Sequence, residues 1–355
     1  MTGDSDHIVA ETAARIFADL ADPRTVNRSE DAAWKGPLWT ALAETGLPLA
    51  WVPEERGGSG ATIADGFSVL AAAGRFALVV PLAETLTAGW LLAQAGLDAP
   101  PGPMTLAPAR PHDRIAIGAD GRIDGRATGV PFASDADHLA VLAEGSRGAE
   151  IALVRRNDCR IEAGRDLAGD ARGCVVFEGV APMFRAPAPD GLDRSGLMLM
   201  GAVVRAVQTA GALEAVLAMS VAYANERVAF EKPIGKFQAV QQNLARLAGE
   251  VAAAVAVSGS AADTLAQGGV TGDAAFLEAA SAKIRCAEAA AEGSAIAHQV
   301  FGAIGFTKEH ALHRYTLRML SWRDDFGDEN YWAAELGRRI ARRGADEFWP
   351  LVASR

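Results

Sequence analysis

The chain has 355 residues, half of them hydrophobic, which is enough for two or three domains with a sizeable core. Its net charge of −10 argues against sequence-independent nucleic-acid binding, because such binding depends on clustered lysine and arginine side chains that neutralise phosphates. The acidic amino terminus has no basic region followed by an apolar stretch, and no window of about 20 uncharged apolar residues occurs. We therefore expect a cytoplasmic globular protein with small-molecule or protein partners, without nucleic-acid or membrane binding.

The predicted elements change twice along the chain. Residues 1–104 contain helical runs such as HIVAETAARIFADLA and AETLTAGWLLAQAG, separated by proline and glycine. Residues 105–185 alternate short β-like runs with Gly and Asp turns, and residues 186–355 return to long, alanine-rich helical patterns. The sequence predicts an α+β fold, mostly α, with a helical first domain, a small β domain and a helical bundle.

Cysteine and histidine usage gives no sign of a metal site. Cys159, Cys174 and Cys286 are scattered and lack the CxxC spacing of a zinc site, so we predict ordinary thiols. His310 and His313 share a helix face, as two metal ligands would, but no third ligand is placed to join them. We predict a surface pair of histidines and no bound metal.

Four carboxylates cluster in the segment SWRDDFGDENYW near the carboxyl end: Asp324, Asp325, Asp328 and Glu329. Such a cluster is either a source of a catalytic base or a solvated turn. We favour the turn, with Asp328 as the amino-terminal cap of the following helix. Asp325 is the one member that we keep as an alternative catalytic base.

Two further segments carry a family resemblance. ERVAFEKPIGKFQAVQQ interrupts two long helices, and HQVFGAIGF ends the third helix about 60 residues later. Together they resemble the acyl-CoA dehydrogenase family, whose carboxyl-terminal domain reads R-x-x-F-G-x-x-I-x-x-F-Q and later Q-x-x-G-G-x-G-F. GLPLAWVPEERGGSG and VPFASDADHLAVLA resemble the family's first and middle domains, so the resemblance covers most of the chain. It implies an amino-terminal helical domain, a middle β domain and a carboxyl-terminal four-helix bundle.

The resemblance also implies FAD, bound between subunits. It assigns six residues to FAD binding: Arg227, Phe230, Gln238, Gln299, Gly302 and Gly305. The first would meet the pyrophosphate, the next two would flank the nucleotide, and the last three would receive its adenine end. The residue types suit these roles, because guanidinium groups pair with phosphate oxygens and glycines admit close backbone approach. One departure is Glu231, which stands where the family usually has glycine and adds a negative charge near the pyrophosphate.

The other half of the family's active site is missing from this sequence. The family's β-domain runs T-E-x-x-x-G-S-D and W-I-T bind the flavin ring, whereas this chain reads TLAPARPHDRIAIGADGRIDG at that place. The family's catalytic glutamate, counted from the Q-x-x-G motif, falls on Phe326, followed by Gly327. The alternative position of that glutamate in some members, counted back from Arg227, falls on Gly201. The resemblance therefore predicts no catalytic residue in this chain.

These features together predict a non-catalytic subunit of an FAD-dependent acyl-CoA dehydrogenase, in an α2β2 heterotetramer with a related catalytic subunit. Such assemblies oxidise bulky acyl-CoA thioesters, such as steroid side-chain or ring fragments, and pass electrons to an acceptor such as electron-transfer flavoprotein. Two alternatives remain open. One is a self-sufficient homotetrameric dehydrogenase with a displaced base, and the other is a scaffold or regulatory subunit without flavin contacts.

Overall fold

The computed structural model describes residues 5–29 and 31–353. The first part is helical, and its helices are α1 (Ser5–Leu20), α2 (Pro23–Arg28), α3 (Lys35–Glu44), α4 (Ile63–Arg75) and α5 (Leu82–Gln94). Local sequence explains two of the helix starts. The Asp22 side chain accepts hydrogen bonds from the first backbone N–H groups of α2, and Thr62 with Asp65 forms a reciprocal capping box at α4.

A mixed sheet of eight strands follows. Its strands are β1 (Met104–Ala107), β2 (Arg114–Ile117), β3 (Ile123–Pro131), β4 (His138–Gly145), β5 (Gly148–Arg155), β6 (Arg160–Arg165), β7 (Ala171–Val180) and β8 (Phe184–Pro187). Seven strands run in the order β6-β7-β3-β2-β4-β5-β8, and β1 pairs with β4 in parallel. One set of inward side chains fills a core of the sheet's own, while others, such as Leu142 and Leu153, join the core of the helices. The sheet is therefore fixed against the helical parts by shared burial.

The last part is a helical bundle. Its elements are α6 (Arg194–Glu226), a hairpin of β9 (Val228–Ala229) and β10 (Lys232–Pro233), then α7 (Gln238–Gly268), α8 (Gly272–Phe301), α9 (Leu312–Trp322), α10 (Glu329–Arg343) and α11 (Phe348–Ala353). The predicted α+β fold, mostly α, is confirmed. The exact domain boundaries at 104 and 185 stay predictions.

Helix α6 lies at the centre of the molecule, and glycines let α4 approach it closely. A Cβ atom added at Gly74 would lie 2.1 Å from the carbonyl oxygen of Gln208, and one added at Gly211 would lie 2.1 Å from that of Ala71. Side chains at either position would force the two helices apart, because protein interiors are close-packed. This contact fixes the first helical part on the bundle.

Within the described residues, α6 and α7 are long and apolar enough to cross a membrane by length and composition alone. The apolar window of α6 is wholly buried in the fold, as in the core helix of a compact protein, whereas 28% of the window of α7 is buried. Length and composition are weak evidence for a membrane span when a helix already packs inside a fold.

Candidate functional site

Gly201 and Phe326, the two positions to which the resemblance assigns the family's base, lie against each other in the structure. A Cβ atom added at Gly201 would lie only 2.2 Å from the ring of Phe326, so the phenylalanine occupies the space that a side chain at residue 201 would need. Phe326 is buried, its N–H donates to the carbonyl oxygen of Ala109 at 3.0 Å, and its own carbonyl oxygen accepts from Trp332 Nε1 at 3.0 Å. We call this contact of Phe326 with Gly201 the aromatic plug.

A buried network of ion pairs lies beside the aromatic plug. Asp325 has no exposed surface; its Oδ2 lies 2.9 Å from Arg205 Nε and its Oδ1 lies 2.7 Å from Arg172 Nη2. Arg205 also donates through Nη2 to Glu84 Oε1 and through Nη1 to Gln208 Oε1, each at 2.6 Å. The network joins α5, α6 and β7 to the α9–α10 connection.

The position of Asp325 corrects the prediction of a solvated turn. Burial raises the pKa of the Asp325 carboxyl, but Arg172 and Arg205 outweigh burial and hold that pKa below its usual range. A carboxylate that is fully enclosed and paired with two guanidinium groups has no path to a substrate proton. The other predicted feature of this segment is present, because Asp328 Oδ1 accepts from Tyr331 N at 2.7 Å and caps α10.

Lys283 of α8 is another buried ionisable group in this region. Its Nζ donates to the carbonyl oxygen of Trp322 at 2.7 Å. Burial lowers the pKa of Lys283 to about 7, although the nearby Asp325 opposes that shift. The amine therefore titrates near neutral pH inside the junction between the helices and the sheet.

Further polar contacts close the junction between the sheet and the bundle. Arg318 of α9 forms two hydrogen bonds with the carboxylate of Asp170, at 2.7 and 2.8 Å. Ser321 donates to Asp166 Oδ2 at 2.7 Å, and Arg110 donates to the carbonyl oxygen of Asp324. These contacts tie the β domain to the bundle.

Sequence reasoning missed Arg205, Glu84 and Arg172 as interacting residues, although two of them carried a signal. Arg205 is the only charged residue between Arg194 and Glu214 in the apolar helix α6, and Glu84 is the only charged residue of α5. An isolated charge in a buried helix requires a buried partner, because an unpaired buried charge is very costly. The pairing itself joins residues more than 100 positions apart and could not be derived from spacing.

The six residues assigned to FAD lie at the opposite, exposed end of the bundle. Arg227 follows α6, Phe230 lies in the hairpin, and Gln238 begins α7, whereas the other three lie at the end of α8 or just after it. The Tyr223 ring of α6 stacks on Phe301 of α8 with centroids 4.4 Å apart, which brings these helix ends together. Sequence-distant segments therefore meet at one end of the bundle.

A cavity of about 740 Å³ opens at this end, between α8 and α9. Gln299, Gly302 and Gly305 line it, together with His298 and Phe306. The remaining three predicted residues, Arg227, Phe230 and Gln238, do not line this cavity. They are exposed on the adjoining hairpin and on the first turn of α7.

The hairpin that carries Phe230 has an unusual turn. Lys232 of β10 pairs with Ala229 of β9, so Phe230 and Glu231 form a two-residue loop. Their φ values are +51° and +66°. Turns of this kind favour Asn and Gly, because L-residues with a Cβ atom are strained at positive φ. The turn nevertheless presents Phe230, 89% exposed, at its tip.

The donor set at this end suits part of an anionic nucleotide. The Arg227 side chain is exposed and forms no ion pair within residues 5–29 and 31–353. Gly302 has φ +63° with open space where a Cβ would stand, and Ser294 Oγ and His298 Nδ1 beneath the cavity have no hydrogen-bond partner. Unpaired buried polar atoms are uncommon and call for an explanation such as a bound water or ligand. These features fit one end of FAD.

A third feature, an arginine-lined cleft of about 440 Å³, was not foreseen from the sequence. The first turns of α6 and α8 and one face of α10 line it, with Arg338, Arg339 and Arg342 from α10. Arg339 packs 3.9 Å from the ring centroid of Phe276, and Arg342 forms no ion pair with any described residue. Several arginines around one cleft favour a phosphate-bearing ligand.

The histidine pair is half-buried instead of lying on the surface. The imidazole Nδ1 of His313 lies 2.8 Å from the carbonyl oxygen of His310, and His313 faces the cavity between α8 and α9. Across the part of the chain that the structure describes, no group of three or more His, Cys, Asp or Glu residues is placed to hold a metal ion. The three cysteines are free thiols.

Comparison with known proteins places the chain in a family. The family model "Acyl-CoA dehydrogenase, C-terminal domain" matches residues 194–341. Acyl-CoA dehydrogenase FadE27 of Mycobacterium tuberculosis is 30% identical over 335 residues, which is 87% of this chain and 89% of the relative. The ChsE4-ChsE5 complex from Mycobacterium tuberculosis contains a chain with a TM-score of 0.85 and 25% identity, covering 97% of this chain and 99% of that one. A variant of the Tcur3481-Tcur3483 steroid ACAD gives a TM-score of 0.83 at 26% identity, covering 96% and 99%. The chain belongs to the acyl-CoA dehydrogenase family.

Proposed function

We propose that this chain is the non-catalytic subunit of an FAD-dependent acyl-CoA dehydrogenase, paired with a related catalytic subunit in an α2β2 heterotetramer. The observation that carries the proposal is the aromatic plug. Phe326 and Gly201 stand at both positions where the resemblance places the family's base, and the Phe326 ring fills the space that a side chain at residue 201 would need. The chain thus lacks the carboxylate that would remove a substrate α-proton.

The residues at the exposed end of the bundle support FAD binding. Arg227 offers an unpaired guanidinium to a diphosphate, and Gln299 with Gly302 lines an open cavity. Bound FAD would supply the hydride acceptor for oxidation of the acyl chain. In our proposal this chain holds the nucleotide end of FAD, while the partner holds the flavin ring and provides the base.

Exposed apolar side chains around these residues support burial under a partner. Val221, Val228, Phe230 and Phe306 are large hydrophobic residues with high exposure, and all lie at the carboxyl ends of α6 and α8 or in the hairpin. Apolar residues gathered on one surface typically mark a protein interface or a ligand site. The similar structures include assemblies named for two different proteins, which supports a heteromeric partner.

We further propose bulky acyl-CoA thioesters, such as steroid fragments, as the substrates of the assembly. A related solved structure is named as a steroid ACAD, and the aromatic plug, present in both copies of this chain, would remove two of the four acyl sites that four equal subunits would have. To test this, the chain is co-purified with its partner and assayed with a steroid-CoA and with butyryl-CoA, using an artificial electron acceptor. We expect turnover of the steroid-CoA by the complex and none by the chain alone. Preferential turnover of butyryl-CoA would contradict the substrate proposal.

The arginine-lined cleft favours a second candidate function, that of a regulatory subunit that binds a CoA ester without converting it. CoA carries three phosphate groups, which suit Arg342, while Arg338 and Arg339 are paired with Glu335 and Asp273. Calorimetric titration of the isolated chain with CoA tests this candidate, with Arg342→Ala as the variant and Arg147→Ala, on the β4–β5 turn, as the control. Binding that only Arg342→Ala weakens would support it, and absence of binding would exclude it.

A further inference from the structure

Arg314 of α9 is a half-buried cation without a partner. Within residues 5–29 and 31–353 its side chain forms no hydrogen bond and no ion pair, and its Nε is fully buried. Burial, together with the neighbouring Arg318, lowers the pKa of Arg314 to about 10, so the guanidinium is still charged at neutral pH. A charged group that is largely removed from water and has no counter-ion is costly, and it calls for an anion close to it.

The acid that acts on Arg314 is already paired with another arginine. Arg318, one turn after Arg314 on the same face of α9, forms two hydrogen bonds with the carboxylate of Asp170, at 2.7 and 2.8 Å. Each oxygen of Asp170 therefore serves Arg318. Asp170 lies in the loop between β6 and β7, and the other acid of that loop, Asp166, accepts from Ser321. Neither acid forms an ion pair with Arg314 in the described chain.

Lys35 adds a third positive charge beside Asp170. It lies at the start of α3, is half-buried and forms no ion pair with the described residues. Burial raises the pKa of Asp170, but Arg318, and after it Lys35 and Arg314, outweigh burial and hold that pKa below its usual range. The three cations therefore lie around one carboxylate, with an excess of two positive charges. We call Lys35, Arg314 and Arg318 the cationic cluster.

Two more basic side chains lie beside α9. Arg24 of α2 and Lys308, which precedes α9, are exposed and form no ion pair with any described residue. Burial lowers the pKa values of His310 and His313, and Arg24 adds to the first shift and Lys308 to the second. The whole chain has a net charge of −10, so this local excess of positive charge is not a result of composition. It favours the approach of an anion.

We propose that the cationic cluster binds a phosphate-type oxyanion between α3 and α9. The excess of two positive charges matches a phosphate dianion, and the planar guanidinium of Arg314 matches the edge formed by two phosphate oxygens. A carboxylate would neutralise only one of the two charges. Because the cluster joins α3, α9 and the β6–β7 loop, the bound anion would tie the first helical part to the bundle and the sheet. This inference does not depend on the proposed function.

Thermal unfolding of the isolated chain in a low-chloride buffer tests the inference. Millimolar inorganic phosphate should raise the melting temperature of wild type by about 2–4 °C, and acetate at the same ionic strength should not. Arg314→Met keeps a long side chain without the charge. It should be no less stable than wild type without phosphate, and phosphate should no longer raise its melting temperature. Arg147→Met, at an exposed position on the β4–β5 turn, is the control and should respond to phosphate as wild type does.

Calorimetric titrations with inorganic phosphate and with CoA distinguish the two sources of a phosphate group. Arg314→Met should weaken the binding of inorganic phosphate on the order of tenfold or more, and Lys35→Met should weaken it less. A parallel loss of CoA affinity in Arg314→Met would extend the ligand to a phosphate ester. An equal response of wild type and Arg314→Met to phosphate, or no response of wild type, would overturn the inference. It would also be overturned if Arg314→Met lost the same stability with and without phosphate, because the guanidinium would then serve the fold alone.

Discussion

Two regions of this chain differ in the burial and pairing of their charged side chains. At the junction of the β domain and the bundle, Phe326 fills the space beside Gly201, and Asp325 is enclosed by two arginines. At the exposed end of the bundle, Arg227 forms no ion pair with the described residues, and a cavity opens above the buried Ser294 Oγ and His298 Nδ1, for which no partner is seen among those residues. We expect substitutions in one region to leave the other region unchanged. The comparison shows a carboxylate paired inside the fold and, at the surface, an arginine that is free to meet a ligand.

The largest expected effect concerns the closed region. Asp325→Ala leaves the buried Arg205 and the half-buried Arg172 without their shared carboxylate, so we expect the free energy of unfolding to fall by about 3–5 kcal/mol. Urea denaturation of the isolated chain measures this loss. Asp324→Ala, at the exposed neighbouring position, is the control and should change stability by less than about 0.5 kcal/mol. If Asp325→Ala instead kept full stability and abolished activity, Asp325 would be the displaced base.

The aromatic plug gives a second test of the closed region. Gly201→Ala places a methyl group in the space of the Phe326 ring, so we expect a loss of about 1–3 kcal/mol by overpacking. The loss should shrink in a Phe326→Ala background, because the two residues compete for one space. Gly249→Ala, in α7 with open space at its Cβ position, is the control and should be stabilising. Strict additivity of Gly201→Ala and Phe326→Ala would show that the plug does not fill this space.

At the exposed end of the bundle, we expect a substitution to change binding without changing folding. Arg227→Ala should lower the FAD affinity of the co-purified complex about tenfold, because a charge-assisted contact to the diphosphate is lost. The melting temperature of the isolated chain should not change, since Arg227 is exposed and unpaired. Arg147→Ala serves as the control. Destabilisation of the isolated chain by Arg227→Ala would mean that the residue belongs to the fold and not to a binding surface.

Lys283 gives the smallest effect per pH unit, as a gradual dependence of stability on pH. Its pKa is about 7 in the fold and 10.5 when exposed, so between these values the unfolded chain binds more protons. The free energy of unfolding should therefore rise with pH in that window, by at most about 1.4 kcal/mol per pH unit, and not below it. Lys283→Met should remove this rise relative to wild type, whereas exposed Lys308→Met should not. If the free energy of unfolding of Lys283→Met rose with pH as steeply as that of wild type, a group other than Lys283 would cause the pH dependence.

The sequence predicted the fold class well and the chemistry of the interior only in part. Periodic apolar patterns and the two family motifs are local signals, and they gave the α+β fold and the family. The burial of Asp325 could not be predicted, because an acidic turn has the same sequence pattern whether water or arginine side chains surround it. Its partners Arg205 and Arg172 lie more than 100 residues away, on α6 and β7. The stacked pair of His298 and Phe306 likewise depends on a turn around Gly305 that no local pattern specifies.

The flavin content of the chain, purified alone and with its partner, tests the central claim most directly. Visible absorption gives flavin per chain in both preparations. We expect little or no flavin on the chain alone, because the runs that bind the flavin ring in the family are absent from this sequence. We expect about one flavin per two chains in the complex. Close to one flavin per chain in the isolated protein would contradict the account and would show that the chain has a complete site of its own.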